Sequence, residues 1–283
     1  MKRPVHIAIA AAAIMAALVG VACSRSGSVD MSACTKTQGD PKAMIAACTT
    51  VIASGRLDDA DLATAYINRA AGYASLKDSD HALADLDALI QRQPNNAAAF
   101  GYRGIAYGIK GDMDRAIADF EQAIRIDPNV DWAYANLGHA YEGKHDYIRA
   151  QQSYSRAVVL RPDNRIAWDG RCWSRAVIGK ELDAASTDCD TSLELGLHDG
   201  SNPANALNSR GFVDFRKQQY KDAIRDDDAS IASDPTIASS YYIRGLAKLA
   251  MGDATGQSDV AQAMSLEPGV AKRYAGYGIP SVR

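Results

Sequence analysis

The segment 97–130, AAAFGYRGIAYGIKGDMDRAIADFEQAIRIDPNV, decides the fold. Apolar residues recur in it at helical spacing twice, on either side of a polar break. Phe100, Gly104 and Tyr107 mark one face of a first helix, and Gly111-Asp112 supplies a turn. Ala116, Ile117, Phe120, Ala123 and Ile124 trace a second amphipathic face, which Asp127-Pro128-Asn129 ends because proline cannot continue a helix. Small residues on facing helices let two backbones approach closely. The segment reads as an antiparallel helical hairpin with a polar exterior.

The same pattern recurs outward from it. Small residues stand at Ala82, Ala116, Ala150, Ala184 and Ala223, at spacings of 34, 34, 34 and 39. Pro94, Pro128, Pro162 and Pro235 follow at 34, 34 and 73. Gly104, Gly138, Gly211 and Gly245 keep the same beat, with Cys172 in the missing slot. One insertion of five residues, near 195–203, accounts for the single shift.

This 34-residue order of aromatic, small, aromatic, then Ala, aromatic, Ala and Pro resembles the tetratricopeptide repeat. The resemblance implies an all-α, right-handed α-solenoid of six helical hairpins, at 63–96, 97–130, 131–164, 165–203, 204–237 and 238–269. The last repeat departs most, with Gly256 where Ala is expected and one residue lost. Residues 41–54 read as a lone helix of the second type within an N-terminal cap at 40–62, and 270–276 as a short closing helix before the tail. Arrays of stacked repeats need such ends because a terminal repeat would otherwise expose its apolar face.

Comparing the repeats with one another exposes a charge pattern. The seventh residue is Arg69, Arg103, Leu137, Arg171, Arg210 or Arg244, and the residue near position 23 is Asp85, Asp119, Ser153, Thr187, Asp226 or, in the repeat that has lost a residue, Asp259. A hairpin turning near position 16 brings these two positions level. An Arg–Asp bridge is therefore predicted inside most repeats, either as solvated charges or as a partly buried pair. Repeat 4 has Thr187 in the acidic slot with Asp188 beside it, and repeat 3 is neutral at both positions.

The chain has 283 residues, 47% hydrophobic and 23% charged, which excludes a disordered, collagen-like or polytopic membrane protein. Its net charge of −3 gives no basic footprint for nucleic acid. Lys2 and Arg3, an apolar run from Ile7 to Ala22 and small residues at Gly20 and Ala22 describe a secretory signal over 1–22. Without it the count is 29 basic against 34 acidic residues, a formal −5. The ending Val19-Gly20-Val21-Ala22-Cys23 resembles a bacterial lipoprotein cleavage site, differing from it in having Gly20 three residues before the cysteine. That resemblance implies a lipid on Cys23 and a periplasmic or outer-membrane-anchored protein, with a soluble secreted form as the alternative. Cysteine parity agrees, since five cysteines are awkward in an oxidising compartment and four can pair.

Residues 23–39 form a lead in which Cys34 is read as strand-like. Cys172 and Cys189 lie eight residues before and nine after Lys180 at a hairpin turn, so they fall at matching height. Locality favours Cys172–Cys189 and Cys34–Cys48 among the three pairings that four cysteines allow. No CxxC, HExxH or GxSxG motif occurs, and His81, His139, His145 and His198 lie in different repeats. The run Asp226-Asp227-Asp228 reads as a solvated helix face with Asp226 in the bridge. No enzyme, metal or cofactor is implied.

In the resembled family the first helices line the concave side. Projected onto this chain, its groove positions hold Tyr102, Trp132, Asn136, His139, Trp173, Phe212 and Tyr242. Trp132 stands out because Tyr134 already fills the packing slot of its repeat, whereas Trp168 occupies that slot in repeat 4 and reads as core. Trp173 is equally open to the groove and to packing against the Cys172 bridge, and burial of Phe212 and Phe215 by the closing repeats is the alternative to their groove position. The resemblance implies a non-catalytic scaffold or adaptor that binds a protein or peptide partner in the groove. The alternative is a structural subunit of an outer-membrane or secretion assembly held by convex or end surfaces.

Overall fold

In the computed structural model, residues 30–36 and 40–279 are described; the leader and Cys23 lie outside them. The described residues form fifteen α-helices and no strand. The chain divides at 140/141 into an N-terminal and a C-terminal body.

The N-terminal body contains α1 (Ser32–Lys36), α2 (Pro41–Ala53), α3 (Asp59–Ser75), α4 (Ser79–Arg92), α5 (Ala97–Lys110), α6 (Met113–Ile126) and the start of α7 (Asp131–Gly143). From α2 to α6 each helix packs on the next, and first helices α3 and α5 also touch. Cys34 sits in the five-residue helix α1, not in an extended lead, and it is bonded to Cys48 with Cα atoms 4.7 Å apart. Asn68 donates to the Cys34 carbonyl at 3.2 Å, which fixes α1 against α3. Helix α3 begins four residues before position 63, because Asp58 caps it by accepting from the Asp61 amide.

The C-terminal body continues with α8 (Tyr147–Leu160), α9 (Arg165–Ile178), α10 (Leu182–Asp199), α11 (Ala204–Arg216), α12 (Tyr220–Ser233), α13 (Ala238–Ala250), α14 (Gly256–Leu266) and α15 (Val270–Gly276). Consecutive helices again pack pairwise, and first helices α9, α11 and α13 touch in sequence.

The local chemistry of the hairpins is uniform. Second helices α4, α6 and α8 start at Asp78, Asp112 and Asp146, each of which accepts from the amide three residues on. First helices α5 and α9 start at Asn96 and Asn164 in the same way. Such caps satisfy an orphan donor and are worth about 1 kcal/mol each. The turn passes through a left-handed residue at position 15, variously Lys77, Gly111, His145 or Gln218.

Repeat 4 breaks this uniformity. Its turn has two left-handed residues, Gly179 and Glu181, and α10 starts one position later than α4, α6, α8 and α12. The buried small residue is therefore Ala185, not Ala184, and the acidic partner of Arg171 is Asp188, not Thr187. The insertion expected wholly near 195–203 is thus split. One residue enlarges the turn, and the rest lengthens α10 to eighteen residues.

The glycine slot of each hairpin is explained by what faces it. A Cβ on Gly104 would lie 2.9 Å from the Phe120 ring. Gly245 and Gly256 face one another, and a Cβ on Gly256 would stand 2.4 Å from the Gly245 carbonyl, so Ala is excluded there. In repeat 5 the ring position is taken by Asp227, whose carboxylate lies 3.0 Å from where a Gly211 Cβ would be. Asp226 and Asp227 are buried, so the acidic run is not a solvated face; only Asp228 is open. Asn208 donates to Asp227 at 3.1 Å and accepts from Ser239 at 2.7 Å. Burial pushes the Asp227 carboxyl well above the usual carboxylate range.

The arginines at position 7 hold each hairpin shut. Arg69 binds Asp85 through two hydrogen bonds of 2.8 and 2.6 Å, and Arg103 binds Asp119 through two of 2.8 Å. Arg171, Arg210 and Arg244 grip Asp188, Asp226 and Asp259 in the same forked geometry. The carboxylates are largely buried, which selects the buried-pair reading over the solvated one. In repeat 3, Leu137 is buried and Ser153 donates to the Arg149 carbonyl of its own helix. The same arginines also reach the preceding hairpin. Arg103 donates to Asp87 at 2.7 Å, Arg210 to Asp190 at 2.8 Å and Arg244 to Asp228 at 2.7 Å. Each of these acids stands two residues after a bridge aspartate, so one guanidinium ties together two hairpins.

Candidate functional site

In the N-terminal body the face presented by the first helices carries Tyr102 on α5 and Trp132, Asn136 and His139 on α7, all half-buried. The Tyr102 and Trp132 rings lie 5.6 Å apart at 44°. Gly101 makes room for the indole, since a Cβ there would sit 2.1 Å from its outer edge. The side-chain amide of Asn136 donates to the Trp132 carbonyl at 2.9 Å and is fixed against its own helix. Desolvation raises the Tyr102 phenol above its ordinary value, so it stays protonated. Its ring packs on the buried cluster of Ala70, Ala82, Leu86 and Ala106. Two half-buried rings, with an amide and an imidazole on α7 beside them, suit a polypeptide carrying apolar and polar groups.

The other three candidates behave differently. Trp173, Phe212 and Tyr242 are 2%, 0% and 1% exposed, so in this structure they are core, not surface. The physical reason is α15, which lies across the first-helix face of the C-terminal body. Its Tyr274 ring stands 5.1 Å from Phe212, 5.1 Å from Tyr242 and 6.4 Å from Trp173. Trp168, read as core, is half-buried: its indole donates to the Pro162 carbonyl and Arg171 stacks over it at 4.6 Å.

Cys172 and Cys189 are bonded across the repeat 4 hairpin, with Cα atoms 5.4 Å apart. Cys172 thereby fills the slot that glycine holds elsewhere. Among the described residues no group of three or more His, Cys, Asp or Glu side chains could hold a metal ion. No described helix is long and apolar enough to cross a membrane. Neither the second arm of the Arg–Asp ladder nor the reach of α15 was anticipated from sequence. The first had a visible signal, the Asp-x-Asp spacing of Asp85–Asp87, Asp188–Asp190 and Asp226–Asp228; the second had none.

Comparison with known proteins agrees with this architecture. A family model of the TPR repeat matches residues 104–144, and one of the tetratricopeptide repeat matches residues 133–164. No curated protein matches the sequence. Among solved structures, a chain of the APC/C Cut9–Hcn1 hetero-tetramer superposes with a TM-score of 0.65 at 14% identity, over 86% of this chain and 48% of that one. This chain therefore spans about half the length of that relative. PilF of Pseudomonas aeruginosa gives 0.62 at 18% identity, over 78% of this chain and 98% of its own. YrrB, a TPR protein with an unusual peptide-binding site, gives 0.51 at 16%, over 69% and 98%. At these identities the likeness is one of fold. Residues 104–164 thus match models of the tetratricopeptide repeat, and the stacked hairpins on either side share the fold of solved proteins of that repeat class.

Proposed function

We propose that this chain is a non-catalytic scaffold of the bacterial envelope that binds a polypeptide partner on the first-helix face of its N-terminal body. Tetratricopeptide repeats generally serve as protein–protein interaction scaffolds. The observation that carries the reading is the Tyr102–Trp132 pair, half-buried, with its indole seated over Gly101. Envelope location is supported by the leader-like residues 1–22 and by two disulfides, which persist in oxidising compartments. Cys23 is the proposed lipid site; mass measurement of the mature N-terminus should find diacylglycerol on it, and a bare terminus defeats that part.

The test of the groove is site-specific. A photo-crosslinking residue at position 102 of the full chain should trap a polypeptide in cells, and one at exposed Ala118 on a second helix should not. Trp132→Ala should abolish the position-102 adduct. Equal trapping at both positions, or an adduct indifferent to Trp132, overturns the reading.

A second reading, a subunit of an outer-membrane or secretion assembly held by second-helix surfaces, is favoured by Ile148 and Val159 of α8. They are 61% and 66% exposed and three helical turns apart on one face. Ile148→Lys with Val159→Lys should break such an assembly and leave crosslinking at position 102 intact.

A further inference from the structure

The closing helix does more than close the array. An end cap needs to cover only the last hairpin, α13 and α14. Helix α15 touches both, and its side chains also reach back over two earlier repeats. Tyr274 packs between Phe212 of α11 and Tyr242 of α13, edge-on to Trp173 of α9. Tyr277 packs on Trp173 at 6.1 Å, and its hydroxyl meets that of Tyr147, 130 residues away, at 2.8 Å. Arg216, at the end of α11, donates to the carbonyls of Val177 in α9 and Tyr277, joining the ends of α9 and α15.

Two of the residues beneath α15 stand at a register position that also lies on the proposed partner face of the N-terminal body. Phe212 and Trp173 occupy the ninth position of their repeats, as His139 does in its own. Helix α15 thus lies where a bound peptide would lie. It presents Tyr274, and Tyr277 follows as the residue capping its C-terminus, three residues on. Its fit is incomplete: the Tyr242 hydroxyl and the Arg216 Nε are buried without a hydrogen-bond partner. Seven residues are too few to form a stable helix alone, so α15 is held by this face and by its local Arg273–Glu267 pair, with bonds of 3.0 and 2.6 Å.

We infer that the first-helix face of α9, α11 and α13 is a recognition site for a short helix of Tyr-x-x-Tyr pattern. The chain fills the site with its own α15, and a tyrosine-bearing helical segment binds there in trans when α15 lifts away. This is independent of the proposed partner site at Tyr102 and Trp132, with which it shares no residue.

A tethered segment acts at an effective concentration on the order of millimolar. A free peptide of the same sequence therefore competes poorly until the tethered copy is weakened. The probe is a fluorescent synthetic peptide of residues 268–283, titrated by anisotropy into the full chain. The unaltered protein should bind it weakly, and the Tyr274→Ala chain about 100-fold more tightly for a peptide of ~10 μM intrinsic affinity. A peptide with both tyrosines changed to Ala should bind neither. A folded Tyr274→Ala chain that binds no peptide overturns the inference. Should that variant fail to fold, hydrogen exchange on the unaltered protein decides. The amides of α15 should open far faster than those of α13 and α14; equal protection makes α15 a permanent cap and ends the proposal.

Discussion

Arg103 on α5 holds Asp119 on α6 through two parallel hydrogen bonds of 2.8 Å, sixteen residues apart across one hairpin. The Asp119 side chain is 8% exposed and that of Arg103 20%, so the pair is shielded from water on one side. The guanidinium is held above its ordinary value chiefly by this bond, against its own desolvation, with Asp87 adding to it.

Removing one partner strands the other. Arg103→Leu should cost about 3–5 kcal/mol, because Asp119 is left buried and uncompensated. Adding Asp119→Ser should recover a large part, since repeat 3 shows that Leu with Ser is an acceptable combination. Asp87 is half-exposed, so Asp87→Asn should cost under about 1 kcal/mol. Urea denaturation of the single and double variants measures the coupling; strictly additive losses refute it.

How much of this was legible follows from which contacts obey the period. The Arg–Asp pairs do, because positions 7 and 23 are fixed relative to one turn. The prediction slipped only in repeat 4, where a residue added to the turn moved the partner from Thr187 to Asp188. The second arm to Asp87, Asp190 and Asp228 was written in the Asp-x-Asp spacing. Tyr102 and Trp132 could be placed because they belong to adjacent repeats in one register. The burial of Tyr242 could not be, and the choice between groove and core for Trp173 and Phe212 stayed open, because both depend on where a seven-residue helix outside the period comes to rest.

Trp132 keeps its position because Gly101 has no side chain. Gly101→Ala places a methyl 2.1 Å from the indole edge, closer than carbon atoms tolerate. The ring must move, and the partner face should be disrupted while the hairpin, already rich in alanine, stays folded. The expected result is a shift in Trp132 emission and loss of the position-102 crosslink, with thermal stability lowered by at most about 1–3 kcal/mol. Unchanged crosslinking would show that the seating of the ring does not matter.

The Cys172–Cys189 bond closes a loop of seventeen residues. In the chain-entropy model such a loop stabilises by about 3 kcal/mol. Cys172→Ser with Cys189→Ser should lower stability by that order, and an unaltered sample purified without reductant should contain no free thiol at these two positions. Alkylation before and after reduction, followed by mass measurement, checks both statements.

Asp227 makes stability depend on pH in a direction opposite to that of a salt-bridged acid. Its folded-state affinity for the proton is raised by burial, against the Asn208 hydrogen bond, with Asp226 and Asp228 adding to the rise and Arg244 opposing it. Asp214, pushed up to about 6 chiefly by desolvation and then by Asp226 and Asp222, acts in the same sense. Below the usual carboxylate range both folded and unfolded chains hold these protons, and the stabilising contribution is complete. As pH rises above that range the unfolded chain ionises first, and stability falls by about 1.4 kcal/mol per unit for each group until the folded group also ionises. Asp227→Asn keeps the shape and removes the proton. It should flatten the decline, leaving mainly the part due to Asp214 between about 4 and 6. The variant should therefore be more stable than the unaltered chain at pH 8 and lose that advantage at pH 4, as read from urea midpoints at several pH values. A variant less stable at every pH would mean that Asp227 is ionised in the folded chain.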